Sequence, residues 1–342
     1  MRLPAFEYER PGNLQEALEL LHTHGANCRI LAGGTDLLVR MKQRLTSPTH
    51  VISIRALPEL DFIKESEDVF RIGAAVRLSD ILAYRPIQDR LPGLHEAVRS
   101  VGAPSIQHFA GTIGGNLCQD NRCQFFNQSQ FFRGARQACN KAGGKTCFAW
   151  EGGSDKCHSA NQSDTAPVLV AMNAQVVVRS KGSERVFPLA ELYSGVGERP
   201  FTLSDDEMLV EIQIPTPGSR TGTAFEKLAY RSAIDYAVVS AGALVRIDRD
   251  RIVQCNVVIG AVSRAPLAIS AVEKILFDRT VGDEHAMDEA GMAARSAAEP
   301  FIANNMAQPT EYRSQMVSVM AKRALKKALK RAISGPGLLE AQ

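Results

Sequence analysis

Five of the seven cysteines in this 342-residue chain fall within one 40-residue stretch, from Cys118 to Cys157. The surrounding segment, residues 119–162, keeps no period of 2 or 3.6 and is rich in Gly, Asn, Gln and Ser. A segment of that length without secondary-structure periodicity needs its own source of order inside a compact domain. Four bound thiolates would supply it, which predicts a metal or cluster site in an inserted loop.

The spacing of these cysteines bears on what they bind. Four thiolates can hold a [4Fe–4S] cluster or a structural zinc ion. Zinc ligands usually occur in pairs that are close in sequence, and here the only such pair is Cys118 with Cys123. The wide sequence spacing of the other cysteines favours a cluster. A zinc ion remains the alternative. The predicted ligands are Cys123, Cys139, Cys147 and Cys157. Six aromatic residues are expected either to shield a cluster from water or to form a local core: Phe125, Phe126, Phe131, Phe132, Phe148 and Trp150.

The composition narrows the class of protein. Hydrophobic residues make up 45% of the chain, enough for two or three packed units. The 40 basic and 37 acidic residues leave a net charge of +3, which gives no support for a nucleic-acid partner. No apolar run is long enough to cross a bilayer, and the opening MRLPAFEYERPGN contains no apolar signal segment. We therefore expect a cytoplasmic protein with no membrane partner, whose cysteines do not form a disulfide scaffold.

Hydrophobic patterning predicts an α+β protein with three units. The first is an α/β unit over residues 1–56. The second covers residues 57–217, is mostly β, and contains the insertion at 119–162. The third, over residues 222–342, consists of antiparallel strands and helices. The segment TPGSRTG, residues 216–222, is the predicted linker.

The first unit has the clearest local signals. Asn13 is predicted to cap a helix whose apolar residues repeat at i, i+3, i+4 and i+7 and which ends at Gly25. A buried strand over residues 28–32, a turn at Gly33–Gly34 and a strand over residues 51–54 are expected to follow.

Two glycine pairs follow strand-like stretches and precede polar residues. They are Gly33–Gly34 in ILAGGTD and Gly114–Gly115 in TIGGN. A glycine pair lets the backbone approach a pyrophosphate, and the amides that follow favour its negative charge. Each pair alone is also compatible with an ordinary strand-to-helix turn. Together they suggest two loops that hold one extended diphosphate ligand, although the lack of G-x-G-x-x-G counts against a standard Rossmann site.

Segments along nearly the whole chain resemble the FAD-binding medium subunits of the xanthine dehydrogenase and carbon monoxide dehydrogenase family of molybdenum hydroxylases. The matching segments, in the family's order, are AGGTDLL, TIGGNLC, DTAPVLVAMNA, DDEMLVEIQIP, FEKLAYRSAIDYAVVSAG and AVSRAPL. The resemblance implies a two-lobed FAD-binding domain followed by a C-terminal domain of antiparallel strands and helices. It also implies FAD binding by Ile30, Leu31, Ala32, Gly33, Gly34, Thr35 and Asp36, and by Thr112, Ile113, Gly114, Gly115 and Asn116.

The same resemblance assigns four residues outside the glycine loops. It implies that Asp164 lies near the ribityl chain or diphosphate, Met208 and Leu209 near the flavin or adenine, and Lys227 near the isoalloxazine. The residue types alone allow a helix N-cap for Asp164, core strand positions for Met208 and Leu209, and a solvated charge for Lys227. The basic run AKRALKKALKRA is expected to be a solvated helix face or a contact to a partner subunit rather than a membrane or nucleic-acid helix.

The insertion is similar to one in the β subunit of 4-hydroxybenzoyl-CoA reductase, where four cysteines bind a [4Fe–4S] cluster. By that similarity Cys123, Cys139, Cys147 and Cys157 are the ligands and Cys118 is the spare. The resemblance implies FAD and the cluster as cofactors, with a molybdenum-cofactor large subunit and a [2Fe–2S] small subunit as partners.

By the same resemblance, electrons from reduced ferredoxin would pass through the cluster and FAD to remove the phenolic hydroxyl of 4-hydroxybenzoyl-CoA. Three alternatives remain open. The chain could serve a related molybdenum enzyme with another substrate, act as a free-standing FAD oxidase or reductase, or be a structural module with zinc in the loop.

Overall fold

The N-terminal sheet is parallel and has three strands, in the order β1–β3–β2. In the computed structural model, which describes residues 2–335, its elements are β1 (Glu7–Glu9), α1 (Leu14–His24), β2 (Cys28–Leu31), α2 (Leu37–Lys42) and β3 (His50–Ser53). The start of α1 is as predicted, because the Glu16 amide donates to Asn13 Oδ1 at 2.9 Å. The predicted end is also confirmed, since Gly25 follows α1 with a φ of 48°.

The second sheet is antiparallel and has five strands, in the order β4–β5–β8–β6–β7. Its strands are β4 (Ile63–Glu65), β5 (Val69–Gly73), β6 (Gln175–Ser180), β7 (Ser183–Pro188) and β8 (Met208–Pro215). The helices between them are α3 (Leu78–Ala83), α4 (Arg85–Arg90), α5 (Pro92–Arg99), α6 (Ile113–Leu117), α7 (Gln130–Gly134) and α8 (Thr165–Ala171).

These helices correct the prediction that the second unit is mostly β. The sequence pattern predicts one helix in this unit, over residues 93–101, and that helix is α5. The missed helices have five to seven residues each, which is too short for a 3.6-residue period to stand out. Their apolar residues nevertheless pack into one core with the five-stranded sheet.

The third sheet is antiparallel and has four strands, in the order β12–β11–β10–β9. Its elements are β9 (Thr221–Leu228), β10 (Val239–Asp248), β11 (Arg251–Gly260), β12 (Leu267–Ala268), α9 (Ser270–Leu276), α10 (Glu284–Ala298) and α11 (Thr310–Ser334). The first strand begins at Thr221, so the predicted linker overlaps it. The mixture of sheets and helices confirms the predicted α+β class.

Strand β10 lies in the interior because helices cover it on both sides. Helix α8 of the second unit packs on β10 and β11, and α11 packs on β9 and β10. A Cβ at Gly242 would overlap the backbone of Val168, so this close approach of β10 and α8 requires glycine. The second unit and the C-terminal unit therefore share a packed interface.

Helix α11 carries the basic run noted in the sequence. Its apolar side belongs to the C-terminal core, and Lys322 and Lys326 pair with carboxylates of α10. Arg331 instead reaches Glu96 of α5 at 2.5 Å and is largely buried, so the expectation of a fully solvated face is wrong there. None of the helices in residues 2–335, α11 included, has the length and hydropathy that a bilayer crossing requires. Residues 336–342 of the predicted C-terminal unit lie outside the described part of the chain.

Candidate functional site

The two glycine loops predicted to hold a diphosphate contact each other. A Cβ at Gly33 would overlap the carbonyl oxygen of Ala110 and lie 2.8 Å from the Cα of Gly111, at the start of the second loop. Gly34 has a φ of 75°, a left-handed conformation that L side chains rarely adopt. All residues from 30 to 36 are half-buried, so this stretch lines a surface rather than a core.

The second loop is shaped by a side-chain cap. Thr112 Oγ1 accepts a hydrogen bond from the Gly115 amide at 3.0 Å and so begins α6. Ile113 is buried, and a Cβ at Gly114 would lie 2.7 Å from Ala74. Around Gly115, by contrast, Thr112 Oγ1 is the only neighbouring atom within 4 Å of an added Cβ. The outer face of the loop at Gly115 is therefore open.

Asn116 fixes the chain that follows the insertion. Its Oδ1 accepts hydrogen bonds from Ser163 Oγ at 2.7 Å, from Thr165 Oγ1 at 2.6 Å and from the Thr165 amide at 3.3 Å. The side chain is buried. Asn116 thus holds residues 163–165 beside the second glycine loop.

Asp164 and Lys227 form a buried ion pair. The Lys227 Nζ lies 2.7 Å from Asp164 Oδ2 and also donates to the carbonyl oxygens of Ser100 and Asp235. Asp164 stands at the start of α8, yet its side chain makes no capping hydrogen bond. Burial raises the pKa of Asp164 to about 6, although Lys227 acts in the opposite direction. Neither of the ordinary roles, a side-chain cap or a solvated lysine, describes this pair.

An ion-pair network joins the first glycine loop to the insertion. Asp36 pairs with Arg122 and, at 3.9 Å, with Arg40. Asp120 in turn lies 2.9 Å from Arg40 Nη2 and 2.6 Å from Lys141 Nζ. The sequence analysis missed Arg40, Asp120, Arg122 and Lys141. Their only local signal was that Arg122 immediately precedes Cys123 and that Asp120 lies three residues before it.

Met208 and Leu209 lie behind the two loops, in core strand positions on β8. Met208 belongs to a buried cluster against which Ile30 and Ala32 pack. Leu209 belongs to the cluster that contains Ile113. The two side chains therefore support the strand and helix from which the loops emerge.

The insertion is closed at its base and folded by tight turns. Arg122 and Ala160 exchange two backbone hydrogen bonds, at 2.8 and 2.9 Å. Within the loop, the amides of Ala142 and Gly144 both donate to the Cys139 carbonyl, and the Cys147 amide donates to Ser154. The segment thus has defined backbone structure despite its lack of periodicity.

The four predicted ligands lie together, and Cys118 lies apart. Cys123 and Cys147 are buried in one small apolar cluster, and Cys139 packs against it. Burial raises the pKa of Cys123 to about 11, and the neighbouring thiols of Cys157 and Cys147 raise it further. Cys118 packs against the core of the five-stranded sheet instead, and burial alone raises its pKa to about 12.

The separation of the sulfurs bears on the choice of metal. Within residues 2–335, no three cysteine sulfurs lie within 4.8 Å of one another. A tetrahedral zinc ion with bonds of ~2.3 Å would bring its ligand sulfurs to about 3.8 Å. In a [4Fe–4S] cluster each thiolate binds a different iron, so the sulfurs stand farther apart. As they stand, the sulfurs within residues 2–335 are too widely spaced for three of them to bind one zinc ion at its usual bond lengths.

The aromatic residues of the insertion divide into two groups. Phe126 is buried beside the cysteines, and Phe125 and Trp150 pack against the same cluster. Phe131 and Phe132 on α7 are 84% and 64% exposed. The expectation that these two shield a cluster is wrong, because α7 holds them on the outside of the loop.

Comparison with known proteins places this fold in a family. Residues 4–217 match the FAD binding domain in molybdopterin dehydrogenase, and residues 224–328 match the CO dehydrogenase flavoprotein C-terminal domain. Caffeine dehydrogenase subunit beta of Pseudomonas sp. (strain CBB1) is 28% identical over 334 residues, covering 97% of this chain and 98% of that protein. The aldehyde oxidoreductase FAD-binding subunit PaoB of Escherichia coli (strain K12) is 30% identical over 288 residues, covering 79% and 86%.

A solved structure shows the same architecture. A chain of carbon monoxide dehydrogenase from Hydrogenophaga pseudoflava, in a form lacking the Mo-pyranopterin moiety, matches with a TM-score of 0.77. The two chains are 26% identical, and the match covers 97% of this chain and 99% of that one.

Proposed function

Because this chain belongs to the FAD-binding medium subunits of the xanthine dehydrogenase and carbon monoxide dehydrogenase family, we propose that it relays electrons inside a molybdenum enzyme through FAD and a [4Fe–4S] cluster. The observation that carries the proposal is the ion-pair network from Asp36 to Lys141, which ties the first glycine loop to the cysteine loop. Two redox groups held on these loops would share one rigid frame, which short-range electron transfer requires.

The FAD diphosphate is proposed to lie between the two glycine loops. Gly33 allows the two loops to approach each other, Gly34 forms the left-handed turn, and Gly115 presents an open face. The guanidinium Nε atoms of Arg40 and Arg122, whose side chains pair with Asp36, are buried without a hydrogen-bond partner, so each keeps a free donor beside the first glycine loop. FAD suits the middle of an electron chain because it exchanges one or two electrons.

The remaining FAD contacts are proposed on the same frame. Asp164 and Lys227 form the charged pair suited to the ribityl and isoalloxazine end, and Asn116 holds Asp164 in place through Thr165. Met208 and Leu209 would act from behind the loops, by supporting them near the flavin or adenine.

The [4Fe–4S] cluster is proposed to bind Cys123, Cys139, Cys147 and Cys157. Such a cluster passes single electrons at a potential set by burial and by hydrogen bonds to its sulfurs. Burial raises the pKa of both Cys123 and Cys157, but several groups act in the opposite direction. The backbone amides of Phe125 and Phe126 face Cys123, Ser159 Oγ lies 3.3 Å from Cys157 Sγ, and Lys141 lies near Cys157. These groups favour the thiolate forms that a cluster requires.

We further propose a molybdenum-cofactor large subunit and a [2Fe–2S] small subunit as partners. The names of the relatives support this, since those proteins are the beta or FAD-binding subunits of larger enzymes. Reduced ferredoxin is the proposed donor and the cytoplasm the proposed compartment. The charge of the insertion supports an acidic one-electron donor. Its six basic and three acidic residues give it a net charge of +3, which is as large as the net charge of the entire chain.

The proposed reaction of the whole complex is reductive removal of the phenolic hydroxyl of 4-hydroxybenzoyl-CoA. We propose this reaction because the cysteine insertion is the feature in which the chain resembles that reductase. A related molybdenum enzyme with another substrate is the second candidate, since substrate chemistry would take place on a partner subunit.

The cluster is tested by single Cys→Ser variants of the anaerobically purified protein, measured by iron content and low-temperature electron spin resonance. Serine at position 123, 139, 147 or 157 should remove the cluster signal, because a ligand is lost and the buried loop cannot replace it. FAD absorbance should remain, because the glycine loops are intact. Cys118→Ser is the matched control and should keep full iron. Loss of iron in that control with retention in Cys123→Ser, or zinc in place of iron, would contradict the assignment.

A further inference from the structure

Three potential metal ligands meet at the N-terminal sheet, away from the glycine loops. Glu9 ends β1, His24 ends α1 and His50 begins β3. In the parallel pairing of β2 with β3, Cys28 lies opposite His50, whereas Gly33 and Gly34 follow the other end of β2. His50 therefore lies at the end of the sheet opposite the first glycine loop, whereas Glu9 pairs with Ile52, two residues further along β3.

The donor atoms of these three residues are close together. One nitrogen of each histidine and one carboxylate oxygen of Glu9 all lie within 4.8 Å of one another. His50 Nδ1 is 3.5 Å from Glu9 Oε1, and it is buried without a hydrogen-bond partner. The His24 and His50 rings stack with centroids 3.7 Å apart. A buried ring nitrogen without a partner requires an explanation, because such atoms are costly.

This donor set matches a divalent transition metal. Two imidazoles and one carboxylate are ligands that zinc accepts, with bonds of about 2.0–2.2 Å and a fourth position left for water. Tetrahedral geometry then places ligand atoms about 3.4 Å apart, close to the distance already found between His50 and Glu9. The stacked rings would have to tilt so that both lone pairs converge, and all three side chains are only half-buried.

We propose that Glu9, His24 and His50 bind one zinc ion. The ion would cross-link the end of α1 to β1 and β3 of the small three-stranded sheet. It would satisfy His50 Nδ1. Zinc has no redox chemistry, so the site stabilises the N-terminal unit and takes no part in electron transfer.

The test uses the full protein with its native cofactors, dialysed against a chelator and then titrated with zinc. Wild type should gain one zinc per chain and a higher Tm. We expect zinc affinity to fall by at least about tenfold in each of three variants: His24→Ala, His50→Ala and Glu9→Gln. Mutating a residue that only hydrogen-bonds to a metal ligand already lowers metal affinity by about that factor. Flavin absorbance confirms that each variant is folded.

His22→Ala is the matched control. His22 lies on the same helix, but its side chain is 57% exposed and faces Asp206, so this variant should bind zinc as wild type does. Cobalt separates this site from the cysteines, because only thiolate ligands add intense near-ultraviolet charge-transfer bands. Equal zinc content in wild type and all three ligand variants, or cobalt spectra with thiolate bands, would overturn the proposal.

Discussion

At the scale of single residues, the buried pair of Asp164 and Lys227 combines a short contact with an unfavourable environment for charge. Its atoms are 2.7 Å apart, yet burial raises the pKa of Asp164 to about 6. Burying two charges often costs as much as their attraction returns, so such a pair is weak grounds for stability. A perturbed carboxyl beside a proposed cofactor loop is better explained by function.

The pH dependence of folding tests that view. The pKa of Asp164 is higher in the folded protein than in the unfolded chain, where an aspartate has a pKa of about 3.9. Between about pH 4 and 6 the folded protein therefore binds more protons at this residue than the unfolded chain does. Relative to Asp164→Asn, wild-type stability should therefore be greatest below about pH 4 and fall by about 3 kcal/mol as the pH rises past 6. Urea unfolding at several pH values measures this difference.

Asp288→Asn provides the control of opposite sign. Lys322 lowers the pKa of the exposed Asp288, so any stability it adds appears as the pH rises through the ordinary aspartate range. If the relative stability at Asp164 rose with pH in the same way, the attraction of Lys227 would outweigh the effect of burial on that carboxyl, and our account of Asp164 would be wrong.

Gly115 allows flavin binding to be tested with little effect on the fold. A Cβ there meets only Thr112 Oγ1, at 3.1 Å, and the rest of a valine side chain is expected to enter the open space proposed for the diphosphate. Gly115→Val should therefore lose bound FAD, measured as flavin absorbance per chain, while circular dichroism stays unchanged. Gly218→Val is the control, since a Cβ at Gly218 has no neighbour within 4 Å. Full flavin occupancy in Gly115→Val would contradict the proposed site.

At the scale of elements, the insertion is anchored by the loop between α10 and α11. Asn305 Nδ2 donates to the His158 carbonyl at 2.6 Å, and the Gln124 amide donates to the Asn305 carbonyl. Asn305 Oδ1 in turn accepts from Arg313 Nη1, and Arg313 is fully buried, with Ala261 among its other acceptors. The C-terminal unit therefore helps to order both ends of a loop that has little core of its own.

Asn305→Ala should loosen the insertion without unfolding the protein. The change leaves a buried carbonyl and part of the Arg313 guanidinium unpaired, at a cost of about 1–3 kcal/mol. Limited proteolysis should cut residues 119–162 faster, and iron should be lost more readily than FAD. The control is Asn256→Ala, which removes a similar bond to the Ala171 carbonyl outside the insertion. Equal cleavage in the two variants would show that this anchor does not order the loop.

At the scale of the whole molecule, predictability followed the range of the interactions. The cap at Asn13, the turn at Gly34 and the grouping of four cysteines were predicted because each depends on nearby residues or on composition. The network of Arg40, Asp120 and Lys141 was missed, because Arg40 and Asp120 are 80 residues apart and Asp120 and Lys141 belong to an aperiodic loop. The exposure of Phe131 was mispredicted for the same reason, since which side of α7 faces the cluster is decided by packing.

The charge of the insertion should make electron uptake from the proposed acidic donor sensitive to salt. Exposed Lys145 and Lys156 flank the cysteine cluster, and the apolar Phe131 and Phe132 stand on the same loop. In the complete complex, Lys145→Glu with Lys156→Glu should lower kcat/KM for reduced ferredoxin by about tenfold at low ionic strength and much less at high salt, because steering acts mainly on encounter.

Reduction by a small uncharged dye should not change in this double variant, since it needs no docking surface. Lys326→Glu on α11 is the matched control, because it reverses one exposed charge that pairs with Glu284 away from the insertion. A loss of ferredoxin activity that is equal at low and high salt would point to a damaged cluster. If the donor approaches the insertion, reversing two charges on it must change the rate at which the two proteins meet at low salt. Unchanged ferredoxin kinetics at low salt would therefore show that the donor binds another face.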